Sequence, residues 1–148
     1  MRLAILAAAI ALPAAAFAAD PVADTIDARQ GYFKLLGANV GILAGMARGQ
    51  TEYSAEGAQT AADNIAVLTS YDMGHLFMPG TSSADSDATR ALPKIWEDFA
   101  GVGEKGAALR EAAAAMQAAA GQGQAEMGAA LGPLGGTCKA CHDAYRAD

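Results

Sequence analysis

The sequence predicts an all-α protein, an antiparallel up-down-up-down four-helix bundle, and three observations lead there. Alanine and glycine dominate, and no run of alternating β-branched residues is long enough to propose a strand. Four segments repeat their apolar residues at the 3/4 spacing of one helix face. Turn-rich stretches separate these segments, and short links between helices of this length favour antiparallel neighbours.

The first helix is expected from about Val22 to Arg48, with Ile26, Arg29, Phe33, Leu36, Val40, Leu43 and Ala47 on its seam and Gly49 as the stop. The second, about Ser54 to Asp72, turns Ala58, Ala61, Ile65 and Leu68 inward behind a capping serine and an early acid. A long connection, "MGHLFMPGTSSADSDA", follows and is rich in turn residues. The third helix is expected to start near Asp87 or Thr89, to tolerate Pro93 in its first turn, and to run through Leu92, Ile95, Phe99, Val102, Gly106, Leu109, Ala113 and Met116. "AGQGQ" breaks it. The fourth, about Gln124 to Arg146, carries Met127, Leu131, Leu134, Cys138, Cys141 and Tyr145, with Pro133 and Gly135-Gly136 expected to distort or interrupt it. Seams this rich in Gly and Ala pack well only if the helices approach closely or if something else fills the space.

"MRLAILAAAIALPAAAFA" has the form of a secretory signal peptide: Arg2, a short apolar run, a break at Pro13, and Ala16-Phe17-Ala18 as an A-x-A cleavage site. The apolar run falls short of the roughly 20 residues needed to span a bilayer, so no membrane insertion is expected after cleavage. Residues 19–148 then form one domain. The formal net charge of −6 includes Arg2, so the mature chain is more acidic still, which disfavours nucleic acid or an anionic membrane surface as partner. In an oxidising compartment two neighbouring cysteines would form a disulfide by default unless something else claimed the thiols first.

The only two cysteines lie in "CKACH" near the C-terminus. On a helix Cys138 and Cys141 sit one turn apart, with His142 on the same general side. C-x-x-C-H is the attachment signature of c-type haem: each thiol adds to one vinyl group, and the adjacent imidazole supplies an axial nitrogen to iron. The rival readings are a redox dithiol, a plain disulfide, and half a zinc site completed by His75. The dithiol motif ordinarily comes with a βαβ context missing from the pattern, and zinc would need a distant fourth ligand. Arg29 interrupts an apolar seam, and a guanidinium there calls for an anionic partner. A haem propionate would serve. The alternative is an arginine that reaches past the seam into water or onto Asp27 or Asp98.

"CKACHDAYR", "ARQGYFKLLG", "FMPGTSS" and "ALPKIWEDF", in this order and spacing, resemble the cytochrome c′ family across the whole mature chain. The resemblance implies a bacterial periplasmic four-helix bundle, commonly a homodimer, with one covalent haem c in its core and a five-coordinate, high-spin iron. It implies binding of nitric oxide and carbon monoxide at the free face, single-electron exchange with a redox partner protein not identified by the sequence, or both. It places Cys138 and Cys141 on the haem, His142 on the iron and Arg146 beside that histidine. Arg29 and Gln30 would meet the propionates, Arg90 would be a further propionate neighbour, and Trp96 would pack in the core. Phe33, four residues beyond Arg29, would line the free face, where low-spin relatives place a methionine. Other readings are a six-coordinate electron carrier and a haem enzyme of the peroxidase or nitric oxide reductase type. Peroxide chemistry would want a general base near the iron, and the seam around Phe33 is apolar with Lys34 one step off it. Met46, Met73, Met78, Met116 and Met127 are expected in the core rather than on metal, and His75 at the surface.

Overall fold

The computed structural model describes residues 20–148. The expected leader, residues 1–18, lies outside them. Four long helices carry the fold: α1 (Pro21–Ala47), α2 (Ala55–Ser70), α4 (Phe99–Ala119) and α5 (Gln124–Tyr145), with a single helical turn, α3 (Lys94–Glu97), before α4. No strand occurs among the described residues; one isolated antiparallel bridge joins Ala91 to Arg146. Each long helix packs on the next in chain order, and α5 closes the ring against α1. Tyr32 donates its hydroxyl proton to the Leu68 carbonyl, and Asn64 bonds Asn39, so early residues of α1 meet late residues of α2. Gln124 donates to the Met46 carbonyl, so the start of α5 lies beside the end of α1. The topology is up-down-up-down.

Local chemistry sets the helix ends. Asp20 caps α1 by accepting from the Val22 and Ala23 amides, with Pro21 in the first turn, where its missing N–H is harmless. Ser54 caps α2 through the Gly57 amide. Gly49, at φ 67°, supplies the left-handed residue that closes α1.

Two expectations about helices need correction. The third helix does not begin near Asp87 or Thr89. Those residues belong to a loop: Thr89 accepts from both Arg29 and the Ala91 amide, while Leu92 N–H and the Arg90 carbonyl pair with the chain end at Tyr145 and Ala147. Helix begins after Pro93, breaks at Asp98 (φ −138°, ψ 57°), and restarts when the Asp98 side chain caps Gly101 N–H. The break shifts the register, so Phe99, expected inside, is 54% exposed. The fourth helix, conversely, is continuous through Pro133, Gly135 and Gly136. Pro133 leaves only the carbonyl four residues back without its partner, and both Pro133 and Ala129 are exposed, where water can take that bond.

One apolar cluster runs through the bundle and is densest toward the α1–α2 and α4–α5 turns. Leu43, Met46, Ala58, Ala61, Ala62, Ile65, Ala112, Ala113, Met116, Ala120 and Met127 are buried there, and Leu134 continues the cluster along α5. The alanines allow close helix approach, and the few large side chains contribute about 1.5–3 kcal/mol each by burial. Met46, Met116 and Met127 are core residues, as expected. Polar ties clamp the same end: Tyr53 O–H to the Ala120 carbonyl, and Gln59 and Gln117 both donating to Asp63.

Candidate functional site

Cys138, Cys141 and His142 lie in the last two turns of α5, at the opposite end of the bundle from the densest part of that cluster. Both thiols are free and half-buried. Cys138 S–H points to the Leu134 carbonyl at 3.6 Å, as expected for a residue whose side chain lies back along its own helix. Burial pushes the Cys141 thiol up from its ordinary value, the neighbouring Cys138 adds to this, and Lys105 on α4 opposes it. Burial thus favours the protonated form of Cys141. His142 is exposed, with Nδ1 3.4 Å from the Arg146 guanidinium, which leaves Nε2 free of protein partners.

Arg90 and Arg146 line one cleft of about 240 Å³ with His142, Asp143, Ala147 and Asp148. The backbone pairing of Arg90 with Ala147 and of Ala91 with Arg146 brings these distant positions together. Gln30 stands apart and donates to the Ala88 carbonyl at 2.6 Å.

Arg29 departs from the expectation that it needs an acid. It is only 3% exposed, and its partners are neutral: Nη1 donates to the Leu76 carbonyl (3.0 Å) and Thr81 Oγ1 (2.9 Å), and Nη2 to the Thr81 carbonyl (2.7 Å) and Thr89 Oγ1 (3.1 Å). Neither Asp27 nor Asp98 is among them. Its planar head also lies over the Phe77 and Trp96 rings, at 5.4 and 5.7 Å. Burial lowers its pKa from the ordinary 12.5. All four terminal N–H groups are occupied, so this arginine organises the long connection, leaving only Nε–H uncommitted among its five donors. Trp96 helps from the other side by donating Nε1–H to the Phe77 carbonyl.

Phe33, expected on the seam, is 43% exposed and meets the buried Tyr32 edge-on with ring centroids 5.2 Å apart. Tyr32 takes the inward position instead. His75 is exposed and bonds Tyr71, as a surface histidine would. Sequence reasoning missed the roles of Thr81, Thr89 and Asp98, whereas Tyr145, expected on the seam of the fourth helix, is buried there. Asp98, an N-cap residue type just ahead of a helical pattern, was the one readable signal among them.

The donor chemistry separates the rival readings of "CKACH". His75, which would have to complete a zinc site, is exposed and bonds Tyr71, and both thiols are free. Two free thiols one turn apart, a free imidazole nitrogen next to them, and bare glycines at 132, 135 and 136, where even a methyl group would touch nothing, suit a flat macrocycle anchored at two points. A four-helix bundle with that constellation on its last helix is a c-type haem cytochrome.

Residues 24–146 match the family model described as Cytochrome C′. The chain is 48% identical over 147 residues to the cytochrome c′ of Cereibacter sphaeroides, covering 99% of this chain and 98% of that one. Its fold superposes on a solved cytochrome c′ from Rhodobacter Spheriodes with a TM-score of 0.84 at 45% identity, over 88% of this chain and 99% of that one. A cytochrome c′ variant from Alcaligenes xylosoxidans, solved with carbon monoxide bound, matches at 30% identity and TM-score 0.74, over 88% and 98%. The chain therefore belongs to the cytochrome c′ family, whose members carry covalent haem c.

Proposed function

We propose that the protein is a periplasmic cytochrome whose haem iron is five-coordinate and high-spin, binds nitric oxide or carbon monoxide at its free face, and exchanges single electrons with a redox partner. Haem c, once attached, supplies a redox-active iron with one open coordination position. The chain does the rest. Cys138 and Cys141 would tether the ring through thioethers, and His142, with Arg146 beside its Nδ1, would offer Nε2 to the iron. On the propionate side, Gln30 and Arg90 are the side chains near the surface, and Arg29 contributes its remaining Nε–H together with the loop it fixes.

The observation that carries the open-face reading is Phe33. An aromatic ring has no lone pair for iron, it is not locked into the core, and so it can shield the free face and still tilt aside for a diatomic guest. Met46, Met116 and Met127 are immobilised in the packed end. Those two facts weigh against a six-coordinate methionine-ligated carrier, and the absence of any general base adjoining Phe33 on its seam weighs against efficient peroxidase turnover. Self-association is part of the proposal. Ile42, Leu35 and Val67 are exposed apolar residues on α1 and α2, and Ile42 borders a cleft between those helices that a second copy could cover.

The test is the absorption spectrum of the exported protein, oxidised, reduced, and reduced under carbon monoxide. High-spin bands that convert fully to a carbonyl adduct are expected. A low-spin resting spectrum with a methionine-to-iron charge-transfer band, unmoved by the gas, would contradict the proposal.

A further inference from the structure

The last turn of α5 is held by several ties, and they converge one turn beyond His142. Tyr145 is 5% exposed, and its hydroxyl donates to Asp98 Oδ2 at 2.7 Å. The other oxygen of the same carboxylate caps α4 at Gly101 N–H, 2.9 Å away. Lys94 Nζ sits 5.5 Å from the tyrosine ring centroid. The Tyr145 carbonyl accepts from Leu92 N–H at 2.9 Å, and Ala147 N–H donates to the Arg90 carbonyl at 2.8 Å. At Gly101 even a methyl group would collide with the Tyr145 hydroxyl and the Asp98 carboxylate, so the chain carries no side chain where the two meet.

The backbone bonds fix where the chain leaves the helix. A helix end otherwise frays, and a side-chain tie on its flank adds a restraint on how the last turn is rotated. Of the bonds made by the last turn, the Tyr145–Asp98 hydrogen bond is the one that runs from a side chain to a neighbouring helix. Residues three apart on a helix move together when a turn rotates, so a restraint on Tyr145 restrains His142.

We propose, resting on the reading of His142 as the axial ligand, that Tyr145 and Asp98 are positioning residues that set the orientation and stiffness of that histidine. They act through the helix, since no bond joins the tyrosine hydroxyl to the imidazole. The pair ties the start of α4 to the proximal end of α5, so the iron–imidazole geometry is decided partly by a contact on another helix.

The experiment compares haem-loaded parent protein with Tyr145→Phe, Asp98→Asn and Asp98→Ser, each checked for one covalent haem by mass. The readout is the iron–imidazole stretching band of the ferrous form. Asparagine can still cap Gly101 and offer its amide N–H to the tyrosine oxygen, so Asp98→Asn should keep a parent-like band. Tyr145→Phe should shift and broaden it, with the population of a second imidazole orientation rising roughly tenfold, the scale of losing one hydrogen bond to a charged group. Serine preserves a cap but is too short for the tyrosine, so Asp98→Ser should follow Tyr145→Phe, and it serves if the latter does not fold. Variants that lose urea resistance while the band stays put would overturn the proposal, as would an Asp98→Asn band as broad as that of Tyr145→Phe. A parent protein with covalent haem and no such band would overturn the His142 reading itself, and it is distinguishable because the failure is in the parent.

Discussion

The two ends of this bundle are built on different physical principles. Around the α1–α2 and α4–α5 turns, alanines let the helices close on one another, and Leu43, Ile65, Met116 and Met127 fill what is left. At the other end buried Ile26, Leu76 and Ile95 share the space with buried polar groups: Arg29 with Thr81 and Thr89, and Tyr145, whose hydroxyl donates to the half-buried Asp98. There Phe33, Cys138 and Cys141 stay partly exposed. A protein that must leave a flank open for a prosthetic group cannot stabilise that flank by close packing. It adds directional bonds that hold the surrounding backbone, and concentrates its alanine-lined packing at the other end.

If the two ends differ in this way, they should break differently. The largest loss is expected from Arg29→Leu, which removes four hydrogen bonds to loop acceptors; about 4 kcal/mol should disappear from urea unfolding, and limited proteolysis should open the connection at 76–89. Arg29→Lys should rescue little, because a point charge cannot replace the planar fork. Met116→Ala, at the packed end, should cost about 3 kcal/mol through a residual cavity and leave the haem spectrum unchanged. Next comes alkali. The bond to Asp98, more than burial, pushes Tyr145 up to about 12 from an ordinary 10.0. The folded state thus keeps a proton that the unfolded chain gives up, so this contribution is complete below pH 10 and falls away as pH rises toward 12. Tyr145→Phe should remove that alkaline slope in urea titrations. The same bond, followed by the Gly101 N–H, holds Asp98 below its usual 3.8, so its contribution is present above that value and is lost as pH falls further. The smallest effect on stability is expected at Phe33, since it is 43% exposed. Phe33→Ala should leave the urea midpoint nearly unmoved while carbon monoxide associates severalfold faster, measured by flash photolysis.

The packed end was the more legible in sequence, because helical periodicity reports apolar seams, and Ala58, Ala61, Ile65, Ala113, Met116, Met127 and Leu134 all fell on them. The thiol and imidazole positions were legible too, since their spacing is itself the chemistry. The connecting segment was not. The partners of Arg29 lie 47 to 60 residues away in the chain, and nothing local marks Thr81 or Thr89 as acceptors. An isolated arginine on a seam therefore read as wanting an acid, when carbonyls and hydroxyls from one loop satisfy it. Pro133 misled in the opposite direction, because composition does not say whether the carbonyl it orphans will face water. Phe33 and Tyr32 exchanged places for a similar reason: both are apolar enough for a seam, and the Tyr32 hydroxyl decides the matter by reaching the Leu68 carbonyl.

The measurement that bears most directly on the division between the ends is the mass of the exported chain after acid denaturation, taken for the parent and for Cys138→Ala/Cys141→Ala. The parent should retain one haem that acid cannot extract, and the double variant should have the mass of polypeptide alone while its apolar end still folds. A parent chain with no bound haem, or a double variant that still holds it covalently, would contradict the assignment of this open flank to haem c.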